Sequence, residues 1–488
     1  MFEDDGSALV ERIVLASRQE NQAIARKFVA IGELFEIRRA EHGEEKDCAV
    51  DTWAEVSGEV SAALRCSAAM ASSYMHYART MHDRLRRVAA VFEAGDIDFE
   101  TFAAIAYRTD LITEPELIAK ADRQLALYSP RWGSLSRSRR AAKIDRVVRR
   151  VDKDALRVKR EITDNRSVGF WLEGEGGLTR MSATMMTTDA KVLEARLEAM
   201  AATVCDADPR PEDARRVDAL GALGDLQQRL SCQCGRPDCP AGGRIPTPAQ
   251  VIIHVVAEQA TVDGRGDTPG VSVADGELIP AQVVAELARE AKLRPIVHPA
   301  DAPPEPRYTP SRALADFVRA RDLTCRAPGC DRPAIECDLD HTVPYQDGGL
   351  THASNIKCYC RFHHLLKTFW GWKDEQFTDG TVIFTLPGGQ RYVTLPGSAV
   401  LFPELCAPTA ELAIPDPKRM QRCGDRKAMM PRRKTTRAQN RARYVETERA
   451  RGRTIREARR KARGDAFAKH FSGAGPPPSD EDDDPPPF

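Results

Sequence analysis

The sequence predicts a mainly α-helical fold with an α+β unit in its middle, a compact Cys- and His-rich unit after it, and a disordered basic tail. Three observations lead there. Apolar residues recur at helical spacing through the first 130 residues, the period shortens to that of strands near residue 167, and cysteines and histidines crowd residues 321–370. A chain of 488 residues has room for about three domains. The boundaries fall at 1–165 (helical), 166–298 (α+β), 299–310 (a Pro-rich linker), 311–395 (the compact unit) and 406–488 (the tail).

Leu9, Val10, Ile13, Val14, Ile24, Phe28, Ile31, Leu34 and Phe35 predict a long helix over 7–40. Two more follow within 52–94, and Gly95-Asp96-Ile97-Asp98 is a turn that starts the next at Phe99. Residues 113–127 repeat the pattern. From Arg131 to Arg160 there are 12 basic and 3 acidic residues, either a solvated helix face or a phosphate-facing strip.

The strands come next. Ser167–Glu173 and Thr179–Met185 flank the Gly174-Glu175-Gly176-Gly177 turn, Ala249–Ala257 is a buried strand, and helices fill 191–204, 215–230 and 280–293. A short helix over 311–321 leads into the compact unit, and Trp370–Leu386 closes it as a hairpin turning at Thr378-Asp379-Gly380.

Lys+Arg and Asp+Glu both total 72, but the charges are unevenly placed. Residues 418–470 carry 20 bases against 5 acids, while 471–488 carry five acids and no base. A basic tail suits a polyanion partner. No apolar run reaches the roughly 18 residues of a membrane span, and the acidic Met1–Asp5 start is no secretory leader. The expected location is the cytoplasm, where clustered cysteines more often bind metal than form disulfides.

Chemistry concentrates in 321–370. Cys325 and Cys330 form a C-x4-C pair on a turn, and Cys360 and His363 form a C-x2-H pair thirty residues on. Thiolates and imidazole in this pattern are the ligands of a structural zinc site, a staple that so small a unit needs. Beside them, Asp340 and His364 suit a divalent cation, Mg²⁺ or Mn²⁺, on a phosphate. His341 has the pKa of a general base, Asn355 is placed to brace the loop carrying it, and Arg361 and Lys367 lie near enough to touch phosphates.

The pattern C-x4-C, Asp340-His341, Gly348-Gly349, Asn355, C-x2-H-His364 and Lys367 resembles the HNH endonuclease family over about 45 residues. The resemblance implies a zinc-stapled ββα-metal fold. It makes His341 the base, Asp340 and His364 the catalytic metal ligands, Asn355 the middle residue, and Cys325, Cys330, Cys360 and His363 the zinc ligands. His363 stands where many members have Cys. The whole chain resembles the actinobacterial proteins in which a domain of unknown function precedes an HNH unit, on AQVIIHVVAE (249–258), RARDLTCRAPGCDRPA (319–334) and HHLLKTFWGW (363–372).

The expected function is metal-dependent endonucleolytic cleavage of DNA, with RNA left open. Cutting both strands with one small site would favour a homodimer or two sequential nicks. The alternative is a non-catalytic, zinc-stapled nucleic-acid-binding or regulatory protein. Cys337 and Cys358 read as small buried apolar residues, with Cys337 able to replace a zinc ligand. A second cluster, Cys232, Cys234 and Cys239, suggests another metal knuckle whose fourth ligand is Cys205, His254 or His298.

Overall fold

Side-chain caps set most of the N-terminal helices. Asp51, Ser67, Asp98 and Ser136 each accept a backbone N–H three residues on, starting α2 (Thr52–Leu64), α3 (Ala68–Arg79), α5 (Phe99–Thr109) and α7 (Arg137–Val151). With α1 (Gly6–His42), α4 (Arg86–Glu93) and α6 (Pro115–Tyr128) they form a bundle. Phe28, Met75, Leu85, Phe92, Phe102 and Ile105 fill its core, and the Phe92 and Phe102 rings stack at 5.0 Å. Only the second half of α1 is buried, while Leu9, Val10, Ile13 and Val14 are exposed.

The computed structural model describes residues 6–157, 166–173, 178–185, 187–242, 254–273, 276, 278–289, 291–412 and 429–470. The turn read at 174–177, most of the strand read over 249–257, and the acidic end 471–488 lie outside the described residues.

The expected α+β unit divides in three. Strands β1 (Ser167–Glu173) and β2 (Leu178–Thr184) pair antiparallel, Ser167 opposite Thr184. Helices α8 (Thr187–Ala201) and α9 (Glu212–Gly224) share a small core of Met200, Val204, Ala219, Ala222 and Leu230. Strands β3 (Val255–Val256), β4 (Gly270–Ser272) and β5 (Leu278–Ile279) form a sheet in that order, with α10 (Gln259–Val262) and α11 (Ala281–Ala288) alongside. Val256, Val271 and Val273 join the core of the C-terminal unit.

That unit runs from α12 (Arg312–Asp322) through β6 (Cys337–His341), β7 (Ile356–Cys360) and α13 (Arg361–Phe369) to a sheet ordered β10-β9-β8 (Arg391–Thr394, Val382–Thr385, Lys373–Gln376). β6 and β7 are antiparallel, Cys337 opposite Cys360 and His341 opposite Ile356. The expected closing hairpin has gained a third strand, β10. The unit also packs against α2: a Cβ on Gly58 would meet Leu366 at 2.7 Å, and Trp370 donates to the Val50 carbonyl at 3.1 Å.

Two segments differ from expectation. The stretch 299–310, read as a linker, lies on the C-terminal unit: Glu305 pairs with Thr351, Tyr345 donates to the Pro306 carbonyl at 3.2 Å, and His352 meets the Ala302 carbonyl at 3.1 Å. The tail read as disordered over 406–488 contains α14 (Arg437–His470), docked on the bundle. Arg433 and Arg437 reach Asp51 at 3.0 and 2.6 Å, Arg441 pairs with Asp110, and Arg449 meets Asp152 at 2.7 Å. Val445 adds an apolar contact. Without an apolar stripe the sequence gives no sign of docking, because the attraction is between distant charges. No described helix is long and apolar enough to cross a membrane.

Candidate metal centres and the polar site beside them

Two separate turns bring four soft ligands together. After α12 the chain bends back, the Cys325 N–H donating to the Arg332 carbonyl at 2.8 Å, and Gly329 takes φ 74° to make the turn. This places Cys325 and Cys330 beside the β7–α13 junction, where Cys360 ends the strand and His363 sits in the first helical turn. The four ligand atoms all lie within 4.8 Å of one another. His363 Nδ1 is 3.5 Å from Cys325 Sγ and 3.2 Å from Cys360 Sγ, and the Cys360 N–H donates to Cys325 Sγ at 3.3 Å. Three thiols this close cannot all ionise without a cation between them. The donor set fits zinc.

His363 is therefore the cluster imidazole, and His364 faces elsewhere. Cys337 stands outside, its sulfur 3.3 Å from the Pro333 carbonyl. Cys205 joins Cys232, Cys234 and Cys239 in a second group of four within 4.8 Å. Both clusters can hold a metal such as zinc.

The polar site follows from two periodicities. Asp338 and Asp340 share one face of β6, and His364 and Lys367, three apart on α13, face it. His364 Nδ1 lies 2.8 Å from Asp338 Oδ2, and its Nε2 lies 3.5 Å from Asp340 Oδ1. The other oxygen of Asp340 takes Lys367 at 2.6 Å and Lys357 at 3.1 Å. Asp374 of β8 completes the network, meeting Lys357 at 2.8 Å and Lys367 at 3.2 Å. Burial pushes the Asp340 carboxyl up, but the two ammoniums overcome it and hold it down at about 2. Lys357 is fully buried, and burial pushes it below its usual value against the pull of Asp374 and Asp340.

His341 ends β6, its ring packed among Thr351, Tyr308 and Tyr345. Its Nε2 is 2.9 Å from Thr351 Oγ1, Tyr308 stacks on it at 5.2 Å, and Tyr345 meets it edge-on at 5.8 Å. It is 5% exposed, and burial lowers its pKa. Asn355 braces the loop as expected: its Oδ1 accepts from the Val343 N–H at 2.9 Å, and its Nδ2 donates to the Val343 and Leu350 carbonyls at 3.1 and 2.9 Å.

The expected phosphate contacts divide. Arg361 is well exposed and 3.4 Å from Asp338. Lys367 is not a surface cation. It donates to Asp340, to the His341 carbonyl at 2.6 Å and to the Thr342 carbonyl at 3.1 Å, so its role is internal. The sequence reading missed Asp338, Lys357, Asp374 and Tyr308. Asp338 alone left a trace, two residues before Asp340 in a strand.

No solved structure matches the chain. Two uncharacterized proteins of Mycobacterium tuberculosis do: Rv2100 is 41% identical over 92% of this chain and 88% of its own length, and Rv3776 is 41% identical over 91% and 90%. A third, an uncharacterized protein in the est 3' region, is 37% identical over 64% of this chain and 96% of its own length. The family model that matches residues 15–322 is described as a domain of unknown function, DUF222. It takes in the helical bundle, the α8–α9 unit and α12, and on that match the chain belongs to the DUF222 family.

Proposed function

We propose that the β6–β7–α13 unit is the catalytic part of a metal-dependent endonuclease of the HNH type, hydrolysing phosphodiester bonds in DNA in the cytoplasm. The observation that carries this reading is the line Asp338–His364–Asp340. A carboxylate on Nδ1 fixes the imidazole tautomer and leaves Nε2 facing Asp340 Oδ1. Asp340 Oδ1 and His364 Nε2 fit a Mg²⁺ or Mn²⁺ ion that keeps most of its waters. When bound there, the ion supplies polarisation of a phosphate oxygen and stabilisation of the leaving oxygen.

The chain's own residues do the rest. Lys357 and Lys367 keep Asp340 ionised, and the Cys325, Cys330, Cys360 and His363 cluster fixes the start of α13 and so the position of His364. Asn355 holds the loop after β6. His341, kept neutral by burial, takes the proton from the attacking water. Arg361 is the exposed cation nearest the site.

A second reading, a non-catalytic nucleic-acid-binding module, is favoured by one observation. Tyr308 stacks on the His341 ring and Tyr345 meets its edge, which leaves little of the ring open to water or phosphate. A supercoiled plasmid assay with Mg²⁺ or Mn²⁺ separates the two. Nicked or linear product from the wild type, reduced about 10²–10⁴-fold in His341→Ala, is expected. A gel shift with no product from wild type would select the binding module. Equal cleavage by both proteins would remove His341 from the mechanism.

A further inference from the structure

We infer that Cys205, Cys232, Cys234 and Cys239 hold a second structural zinc ion, one that folds the α8–α9 unit and is independent of the Cys325 cluster. The inference goes beyond the nuclease reading and stands without it.

The chain converges on this point from two directions. Cys205 lies just beyond α8, and the other three lie in the loop Ser231–Pro240 after α9. Hydrogen bonds hold the two segments in register: the Leu230 N–H donates to Thr203 Oγ1 at 3.0 Å, the Gln233 N–H to Asp208 Oδ2 at 2.8 Å, and Arg210 to the Ser231 carbonyl at 2.7 Å. Gly235 turns the loop at φ 69°. Cys205 and Cys232 sulfurs end 3.5 Å apart, close to the ~3.8 Å edge of a tetrahedron of sulfurs around zinc.

The size of the core also points to a cation. Among the described residues the unit's own apolar core has five buried side chains, two of them alanine. A core that small leaves the loop after α9 without enough burial to order it, and a metal bond is the usual substitute. Four sulfur donors on a tetrahedron select zinc over oxygen-seeking ions.

The test is metal content of the full chain purified under reducing conditions without added metal. Two zinc ions per chain are expected, falling to one in Cys234→Ser/Cys239→Ser and, separately, to one in Cys330→Ser. A wild type with a single zinc, lost entirely in Cys330→Ser and kept in the double variant, would overturn the inference, as would iron with visible absorption. Because the double variant risks misfolding, thiol alkylation of the native wild type, read by mass spectrometry, is the second measurement. Cys205, Cys232, Cys234 and Cys239 should resist alkylation until a chelator is added. Modification at the same rate with and without chelator, or a disulfide between any two of them, also overturns it.

Discussion

The α1–α7 bundle and the β6–β7–α13 unit solve the same problem with different materials. The bundle is built mainly on an apolar core, Phe28, Leu85, Phe92, Phe102 and Ile105 being almost fully buried, with Glu55, Glu59, Asp122 and Arg140 among the buried charges around it. The C-terminal interior holds Arg321, Asp322, Arg326, Asp340 and Lys357 among its most buried groups, beside the thiols of the Cys325 cluster. Arg321 donates to Asp322 and to the Ala353 and Ile356 carbonyls, and Asp322 accepts from the Cys358 N–H at 2.8 Å. Apolar burial is non-directional and tolerates rearrangement. Buried charges are directional, and removing one partner strands the other. A region built the second way is fragile to single changes, but it holds its polar groups at fixed distances, as a site requires.

The largest effect that would test this difference is expected from emptying the Cys325 cluster of the metal it can hold. Apparent zinc contributions of about 10–16 kcal/mol exceed what a small unit has in reserve. Chelation, or Cys325→Ala, should therefore remove hydrogen-exchange protection from β6, β7 and α13 while the bundle stays protected. Unchanged protection at Ile356–Leu366 would show that the polar network and the shared apolar core suffice alone.

The contrast also explains what the sequence could convey. The Cys325, Cys330, Cys360 and His363 set was readable because two local turns present the ligands and residue type names the chemistry. Asn355 was readable for the same reason, since all its bonds are to the loop it braces. Lys367 was misread because a lysine on a helix beside a site looks solvent-facing; Asp374, on a hairpin strand whose register against α13 the sequence does not give, draws it inward. The fourth ligand of the second cysteine cluster lay 27 residues away, and only the pairing of α8 with α9 selects Cys205. His298 instead bonds the Ala407 carbonyl.

The next effect in size concerns charge. Lys357→Met keeps the volume but leaves Asp340 and Asp374 to share Lys367. A loss of about 3–5 kcal/mol is expected in chemical denaturation. The matching swap in the bundle, Leu85→Met, should cost under about 1.5 kcal/mol. Equal losses would erase the distinction between the two interiors. The sign of the pH dependence follows. Asp340 has a folded pKa of about 2 against an ordinary 3.8, so its ion pairs contribute fully above about pH 4. That contribution is lost as pH falls from 4 toward 2, and the C-terminal unit should lose stability there before the bundle does.

The smallest effect is the most informative about nucleic acid. α14 docks on the bundle by the C-terminal unit's method, charge against charge, with the carboxylates of Asp51, Asp110 and Asp152 buried and their arginines partly exposed. Asp51, Asp110, Asp152 and Asp154 take Arg433, Arg437, Arg441, Arg449, Arg453 and Arg456. Pairs with an exposed arginine weaken with salt, while a charged hydrogen bond to a buried carboxylate contributes about 1.5–3 kcal/mol. Asp110→Asn should therefore cost about 1.5–3 kcal/mol of docking, read as faster hydrogen exchange at residues 437–456. In 0.5 M salt the wild type should show the same change without a shift in bundle melting. These arginines already have carboxylate partners, so DNA that engages this face must displace them. Affinity for a non-specific duplex at low salt should accordingly rise in Asp51→Asn/Asp110→Asn. If docking weakens and DNA affinity stays the same, the arginines facing the bundle are structural, and contact with phosphate falls to the outward Arg443, Arg459 and Arg460.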